Sequence, residues 1–198
     1  EAAMLTGLRL AQAFEADASP HDVALRRLAT PVAKYWVCKR GPHHAYEAME
    51  CLGGNGYTEW FPLARRFREQ PVMAIWEGSG NVIALDVLRA LARDADSADA
   101  MAAELETTAG AHPLLDAHTR RTVALLRSMG DADAGSAQAG ARRLTEMLAL
   151  ALQASLMVRY APDVVAEAFI GARLGDDRGA QYGVLPSGTD SAAILARH

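Results

Sequence analysis

The strongest constraint on this chain is the scarcity of β-branched aliphatic side chains beside an excess of alanine and leucine. Alanine and leucine occupy 64 of 198 positions (41 and 23), while valine and isoleucine together occupy 15. Alanine and leucine lose little on entering a helix; β-branched residues lose χ1 freedom there and suit pleated sheets instead. An all-α fold follows. Hydrophobic residues make up 51% of the chain, enough to bury a core against chain entropy. No run approaches the roughly 20 apolar residues of a membrane span, so no membrane partner is expected. The N-terminus shows no basic region followed by an apolar segment, so no signal peptide is expected. Cys38 and Cys51 are too few for a disulfide scaffold, which points to a reducing, cytoplasmic setting.

Periodicity and breakers divide the chain. Ala2 to Glu15 places Met4, Leu8 and Ala11 on one helical face, and it starts without a capping residue, as if continued from something longer. Ser19-Pro20 reads as an N-cap with proline at the first helical position, and Thr30-Pro31 as a new helix or a kink in the same one. This helix is expected to run to Leu52, kinked before Pro42 and stopped by Gly53-Gly54. Between Gly53 and Asn81 one short helix is expected between loops, after which Ser79 can cap a helix with Ala84, Leu85, Leu88 and Leu91 on its apolar face. Further helices are predicted over Ser97–Thr108, Pro113–Met129, Ala139–Tyr160 and from Pro162 to Gly175, with a weak turn over Asp190–Arg197. Gly130–Gly140 reads as a mobile linker. The predicted architecture is an up-and-down bundle followed by a smaller helical layer.

Charge changes along the chain. Residues 1–91 hold 10 acidic and 10 basic side chains and residues 92–198 hold 14 and 10, so the whole net charge of −4 lies in the second part. Counterion release makes DNA affinity scale with cationic contacts, so this balance does not favour nucleic acid as a partner.

Glu77 is the acid with the most chemical promise. It lies between Trp76 and Gly78, after an apolar run and before a helix start. Burial against an indole raises a carboxyl pKa and makes a useful base near neutral pH, while flanking glycines let a flat ligand approach the backbone. The plainer alternatives are that Glu77 caps the next helix or pairs with an arginine. Gly53-Gly54-Asn55-Gly56 is by itself a weak signal, since glycines commonly end helices. His43-His44 are neighbours that point about 100° apart on a helix, and no cysteine has a matching spacing, so no metal site is expected. His118 reads as a hydrogen-bonded core residue, and Arg120-Arg121 and Arg142-Arg143 as solvated faces.

Three motifs in order, Glu50-Cys-Leu-Gly-Gly-Asn-Gly-Tyr57, Arg65-Arg-Phe-Arg-Glu69 and Ile75-Trp-Glu-Gly-Ser-Gly-Asn81, resemble the C-terminal helical domain of acyl-CoA dehydrogenases. Thr30-Pro-Val-Ala-Lys34, Val37-Cys-Lys-Arg-Gly41 and the long helical extension look most like the adaptive-response alkylation-protein branch. The resemblance implies a bundle domain over residues 1–93, lacking the family's first C-terminal helix, and a helical extension over 94–198. It implies FAD in the complete protein, an acyl-CoA substrate, and Glu77 as the catalytic base that takes the α-proton. Trp76 and Gly78 would line the substrate and the Glu77 amide would polarise the thioester carbonyl. Ser79 and Asn81 match positions that hydrogen-bond the cofactor. Glu50, Gly53 and Gly54 match positions that approach the pyrophosphate of a partner subunit's cofactor, with Glu50 where most members have Gln. Arg65 and Arg68 match a structural arginine pair. The family's N-terminal helical and β-domains are not in this sequence, so the chain alone is expected to hold FAD poorly and to work with those domains or as a homo-oligomer, dimer or tetramer. The branch implies a second reading, a DNA-associated, alkylation-protective flavoprotein with weak or vestigial dehydrogenase activity.

Overall fold

The computed structural model describes residues 1–197, the side chain of Ala95 excepted, and shows ten helices and no strand among them. In chain order these are α1 (Ala2–Ala13), α2 (Pro20–Glu50), α3 (Gly54–Tyr57), α4 (Leu63–Met73), α5 (Gly80–Arg93), α6 (Ala95–Glu106), α7 (Pro113–Asp131), α8 (Ala134–Tyr160), α9 (Asp163–Leu174) and α10 (Ser191–Leu195).

The long α2 organises one side of the bundle. Ser19 caps it reciprocally with Asp22: the Asp22 amide donates to Ser19 Oγ at 3.2 Å and the Ser19 amide donates to the Asp22 carboxylate at 3.3 Å. Pro31 does not start a new helix; α2 runs through both Pro31 and Pro42. An interior proline removes one helical hydrogen bond and costs about 3 kcal/mol. Here the proline is flanked by Leu25, Leu28, Ala29 and Val32, all buried in the main core, and their packing holds the helix together.

That core collects Leu28 and Val32 of α2, Val87 of α5, Met101 and Leu105 of α6, Leu126 of α7, and Leu144, Leu148, Leu152 and Leu156 of α8. A smaller cluster of Leu115, Ala154, Ile170 and Leu174 seats α9 against α7 and α8 and forms the second layer. Side chains from both sides of residue 93 therefore meet in one core. His118 is buried and donates from Nε2 to the Met147 carbonyl at 3.0 Å; burial pushes its pKa down. No helix among the described residues is long and apolar enough to cross a membrane.

Several boundaries differ from the sequence expectation. Gly130–Gly140 is not a linker: α7 continues to Asp131, α8 starts at Ala134, and only two residues intervene. Asp133 makes the early start possible by accepting from the amides of Gly135 at 3.0 Å and Ser136 at 3.1 Å, after which the alanines favour helix. The segment between Gly53 and Asn81 holds two helices, α3 and α4, where one was expected. α6 begins at Ala95, ahead of Ser97, whose hydroxyl instead donates to the Asp94 carbonyl at 2.7 Å. Met4, Leu8 and Ala11 face outward, because α1 docks through Leu5, Leu10, Ala13 and an ionic tether from Arg9.

The tether is a buried charge cluster. Glu104 of α6 is 3% exposed and accepts two hydrogen bonds from Arg9 of α1, at 2.9 and 2.8 Å, and one from Arg159 of α8 at 2.7 Å. His21 of α2 lies 3.4 Å from the same carboxylate, and Arg9 also pairs with Asp22 at 2.8 Å. Burial alone would raise the Glu104 pKa, but the hydrogen bonds from Arg9 and Arg159 bring it down to about 2. Four helices meet at this one carboxylate.

Candidate active site

The turn between α4 and α5 carries the acid singled out by the sequence. α4 extends through Pro71 and ends at Met73; the amides of Ile75 and Trp76 then fold back onto the Val72 carbonyl at 3.0 and 2.9 Å. Glu77 follows with φ of 54°, the one non-glycine residue with positive φ among those described, and Gly78 has φ of 122°. Such backbone is strained for a residue with a Cβ, and strain of this kind persists where surroundings fix it. The Lys34 ammonium of α2 does so by donating to the Trp76 carbonyl at 3.1 Å and the Gly78 carbonyl at 2.8 Å, on either side of Glu77. A Cβ on Gly78 would also lie 2.8 Å from Ile83 Cδ1, so a larger residue there would be strained by φ and would have to push that side chain aside.

Glu77 itself is exposed, and Trp76 is half exposed. The expected burial against the indole is not met within this chain: adjacency in sequence does not remove water, which takes a second surface, and no described residue supplies one. Neither plainer alternative holds either. The capping position of α5 belongs to Ser79, and Glu77 forms no ion pair among the described residues. The amides of Glu77, Gly78 and Ser79 donate to no described backbone or side-chain acceptor, so three N–H groups are open at the turn. Beside it runs an open groove of about 550 Å³, whose lining includes Phe14, Val23, Arg26, Thr30, Lys34 and Glu77. Apolar and cationic side chains, together with Asp86 and Asp94, thus share this groove with the glutamate.

Ser79 and Asn81 stand at the start of α5. Ser79 is in N-cap position but its hydroxyl makes no cap hydrogen bond. Asn81 Oδ1 accepts from Arg142 Nη1 of α8 at 3.3 Å, and Arg142 Nε donates to the Tyr35 hydroxyl at 3.1 Å. Arg142 and Arg143 are exposed, as a solvated face requires, and Arg142 in addition links the second half of the chain to the start of α5. A Cβ on Gly80 would meet the end of the Lys39 side chain of α2, which would have to move aside.

Glu50, Gly53 and Gly54 lie elsewhere. Glu50 is 16 residues beyond Lys34 on α2, about 24 Å along the axis at 1.5 Å per residue. Gly53 adopts φ of 55°, and a Cβ on Gly53 or Gly54 would meet nothing within 4 Å, so the bend offers bare backbone to its surroundings. Glu50 is exposed, and its carboxylate beside the Tyr46 hydroxyl raises the pKa of that phenol. The arginines between the two sites are paired as expected of structural residues: Arg65 with Glu69 at 2.7 Å and Arg68 with Glu59 at 2.7 Å. The same segment also exposes large apolar side chains, Trp60 at 94%, Tyr57 at 79% and Ile75 at 64%. Among the described residues no three His, Cys, Asp or Glu side chains come together to hold a metal ion.

Sequence reasoning missed Lys34 and Arg142 as parts of this site. Lys34 was present in the Thr30–Lys34 motif but without a role; Arg142 carried no local signal, because its partners are 107 and 61 residues away.

Residues 1–92 match the model of the acyl-CoA dehydrogenase C-terminal domain. The chain is 39% identical over 171 residues to the Escherichia coli (strain K12) protein AidB, which carries an acyl-CoA dehydrogenase name; the match takes in 86% of this chain and 30% of AidB. It is 42% identical over 89 residues to acyl-CoA dehydrogenase family member 11 of Caenorhabditis elegans, 45% of this chain and 14% of that one. Among solved structures, C. elegans ACDH-11 in complex with C11-CoA superposes with a TM-score of 0.74 at 23% identity, over 87% of this chain and 33% of its own. The apo-form of Bd2924 gives 0.64 at 25% identity, over 79% and 29%. The chain thus spans a third or less of each relative it matches. By the family match, residues 1–92 belong to the acyl-CoA dehydrogenase superfamily as its C-terminal helical domain, and the chain as a whole is similar to AidB, of the adaptive-response branch.

Proposed function

We propose that this chain supplies the catalytic base and part of the cofactor cradle of an FAD-dependent acyl-CoA dehydrogenase. The observation that carries this reading is the strained turn at Glu77: an unpartnered carboxylate on left-handed backbone, fastened on both sides by Lys34, with open amides beside it. In the proposed reaction Glu77 takes the α-proton of an acyl thioester. The open amide of Glu77 donates to the thioester carbonyl oxygen, where negative charge develops as that proton leaves. Trp76 forms a flat wall and Gly78 leaves room for the substrate. The groove lined by Phe14, Val23 and Arg26 leads an acyl or anionic group toward the base. Flavin, when bound, accepts the hydride that leaves the β-carbon.

The residues present fit FAD as a shared ligand. Ser79, with its hydroxyl unused, and Asn81, oriented by Arg142, would hold one cofactor on the Glu77 side. Glu50 and the bare bend at Gly53-Gly54 lie at the far end of α2 and would serve the cofactor of a neighbouring subunit. That division makes the active form a homo-oligomer, dimer or tetramer, completed by flavin-binding segments like those of the relatives. We read residues 1–93 as the bundle domain and 94–198 as its extension, a division of lineage within one shared core; a cytoplasmic setting accompanies this reading.

The test uses a protein that carries this chain together with the flavin-binding segments of its relatives. Under anaerobic conditions acyl-CoA should bleach the flavin, and Glu77→Gln should abolish bleaching while leaving flavin content unchanged. Bleaching at the unaltered rate in Glu77→Gln overturns the reading. Salt-sensitive retardation of duplex DNA that survives this substitution, with no bleaching in either protein, would instead support the DNA-associated, alkylation-protective flavoprotein.

A further inference from the structure

Away from that turn, two arginines share one aromatic ring. The Arg40 guanidinium of α2 lies 4.1 Å from the centroid of Tyr182, and that of Arg173 on α9 lies 5.4 Å from it. Arg40 also lies 5.5 Å from the Trp36 ring. The Tyr182 hydroxyl donates to the Arg40 carbonyl at 3.2 Å, which docks the segment after α9 onto α2, and the exposed His44 stands 6.2 Å from the same ring.

What this cluster lacks is an anion. Each guanidinium carries five N–H donors, yet among the described residues neither side chain makes an ion pair or a hydrogen bond, and Arg40 Nη2 is buried without a partner. Stacking on a ring occupies the face of a guanidinium and leaves its N–H edge unsatisfied. Burial, and then the charge of Arg40, both lower the Arg173 pKa, as expected of two like charges held close without compensation. Other half-buried arginines of the protein are treated differently: Arg9 and Arg159 each meet a carboxylate within 2.8 Å. A planar fork of donors with no acidic partner matches the oxygens of a tetrahedral oxyanion, which it can hold bidentately.

We propose that Arg40 and Arg173, clasped around Tyr182, form a binding site for a phosphate-class oxyanion, with His44 at its rim. The anion is either free inorganic phosphate or the terminal phosphate of a small phosphomonoester. It neutralises the pair and fastens α9 and the segment carrying Tyr182 to α2.

Thermal unfolding of this chain in inorganic phosphate and in chloride at equal ionic strength tests the site, with phosphorus NMR titration as the direct readout of binding. Phosphate should raise the melting temperature by several degrees, because a ligand that binds the folded state alone stabilises it by mass action. Arg40→Gln and Arg173→Gln should each weaken phosphate binding at least tenfold. Arg173→Lys, which keeps the charge and loses the fork, should fall between them and the unaltered chain and covers the case of a poorly folding Gln variant. Adenosine monophosphate binding as tightly as phosphate marks a phosphomonoester site; phosphate binding alone marks a free-ion site. No phosphate-dependent rise in the unaltered chain, or an equal rise in all variants, overturns the proposal.

Discussion

Glu104 and Glu77 occupy opposite electrostatic worlds within one helical bundle. Glu104 is buried, receives three hydrogen bonds from two arginines and has its pKa brought down to about 2, so it is committed as an anion and joins four helices. Glu77 is exposed, carries no ionic partner among the described residues, and is held by hydrogen bonds to the backbone on either side of it. A carboxylate whose charge is satisfied inside the chain can only stabilise. One that is positioned but unpaired is free to exchange a proton, and its chemistry depends on whatever surface is laid over it. The contrast separates the part of the molecule that is complete in itself from the part that is built to meet something else.

The largest effect is expected at Glu104. Glu104→Ala leaves the half-buried Arg159 without its carboxylate and Arg9 with Asp22 alone, and should cost about 3 kcal/mol, read from urea unfolding. The same residue sets the acid limit. Its folded pKa of about 2 lies below the ordinary value of 4.5, so its contribution is fully present above about pH 4.5 and is lost as pH falls toward 2. A pH series of urea midpoints should show this limb, and Glu104→Gln should flatten it. An unchanged limb in that variant would break the contrast from the Glu104 side.

Gly78→Ala should cost about 1–3 kcal/mol, since it combines positive φ with a close approach to Ile83. Lys34→Met should cost only about 1 kcal/mol, because its two hydrogen bonds are partly solvated. It should nonetheless speed amide exchange in the turn that it clamps. Smallest of all, Trp60→Ser should shift the stability of this chain by no more than about 0.5 kcal/mol, as expected of an exposed side chain without partners. A large loss there would mean that the apolar surface around α3 and α4 is already covered within the chain.

The sequence made the local features of this molecule readable. Ser19-Pro20-His-Asp22 specified a cap because its partners lie within four residues, and the glycines at 53 and 78 sit where the backbone has positive φ. The alanine-to-valine imbalance decided the all-α class. Tertiary effects were not readable in the same way. Pro31 stays inside α2 because its buried neighbours on that helix pack into the main core, and Gly130–Gly140 is helical but for two residues because Asp133 and its alanines outweigh three glycines. The position of Glu77 was marked by its motif, but its exposure was not, since burial of a loop carboxylate is decided by surfaces far away in the chain or outside it. Lys34 and Arg142 illustrate the same limit, as their partners are set by the packing of α2 and α8 against α5.

The central claim, that Glu77 takes the α-proton, is tested most directly by the exchange of acyl-CoA α-hydrogens with deuterated water, followed by mass spectrometry. The protein used should carry this chain with flavin-binding segments like those of its relatives. Positioned general bases contribute about 10²–10⁴-fold, so Glu77→Gln should slow exchange by that factor while acyl-CoA still binds. Exchange at an undiminished rate in Glu77→Gln would contradict the account.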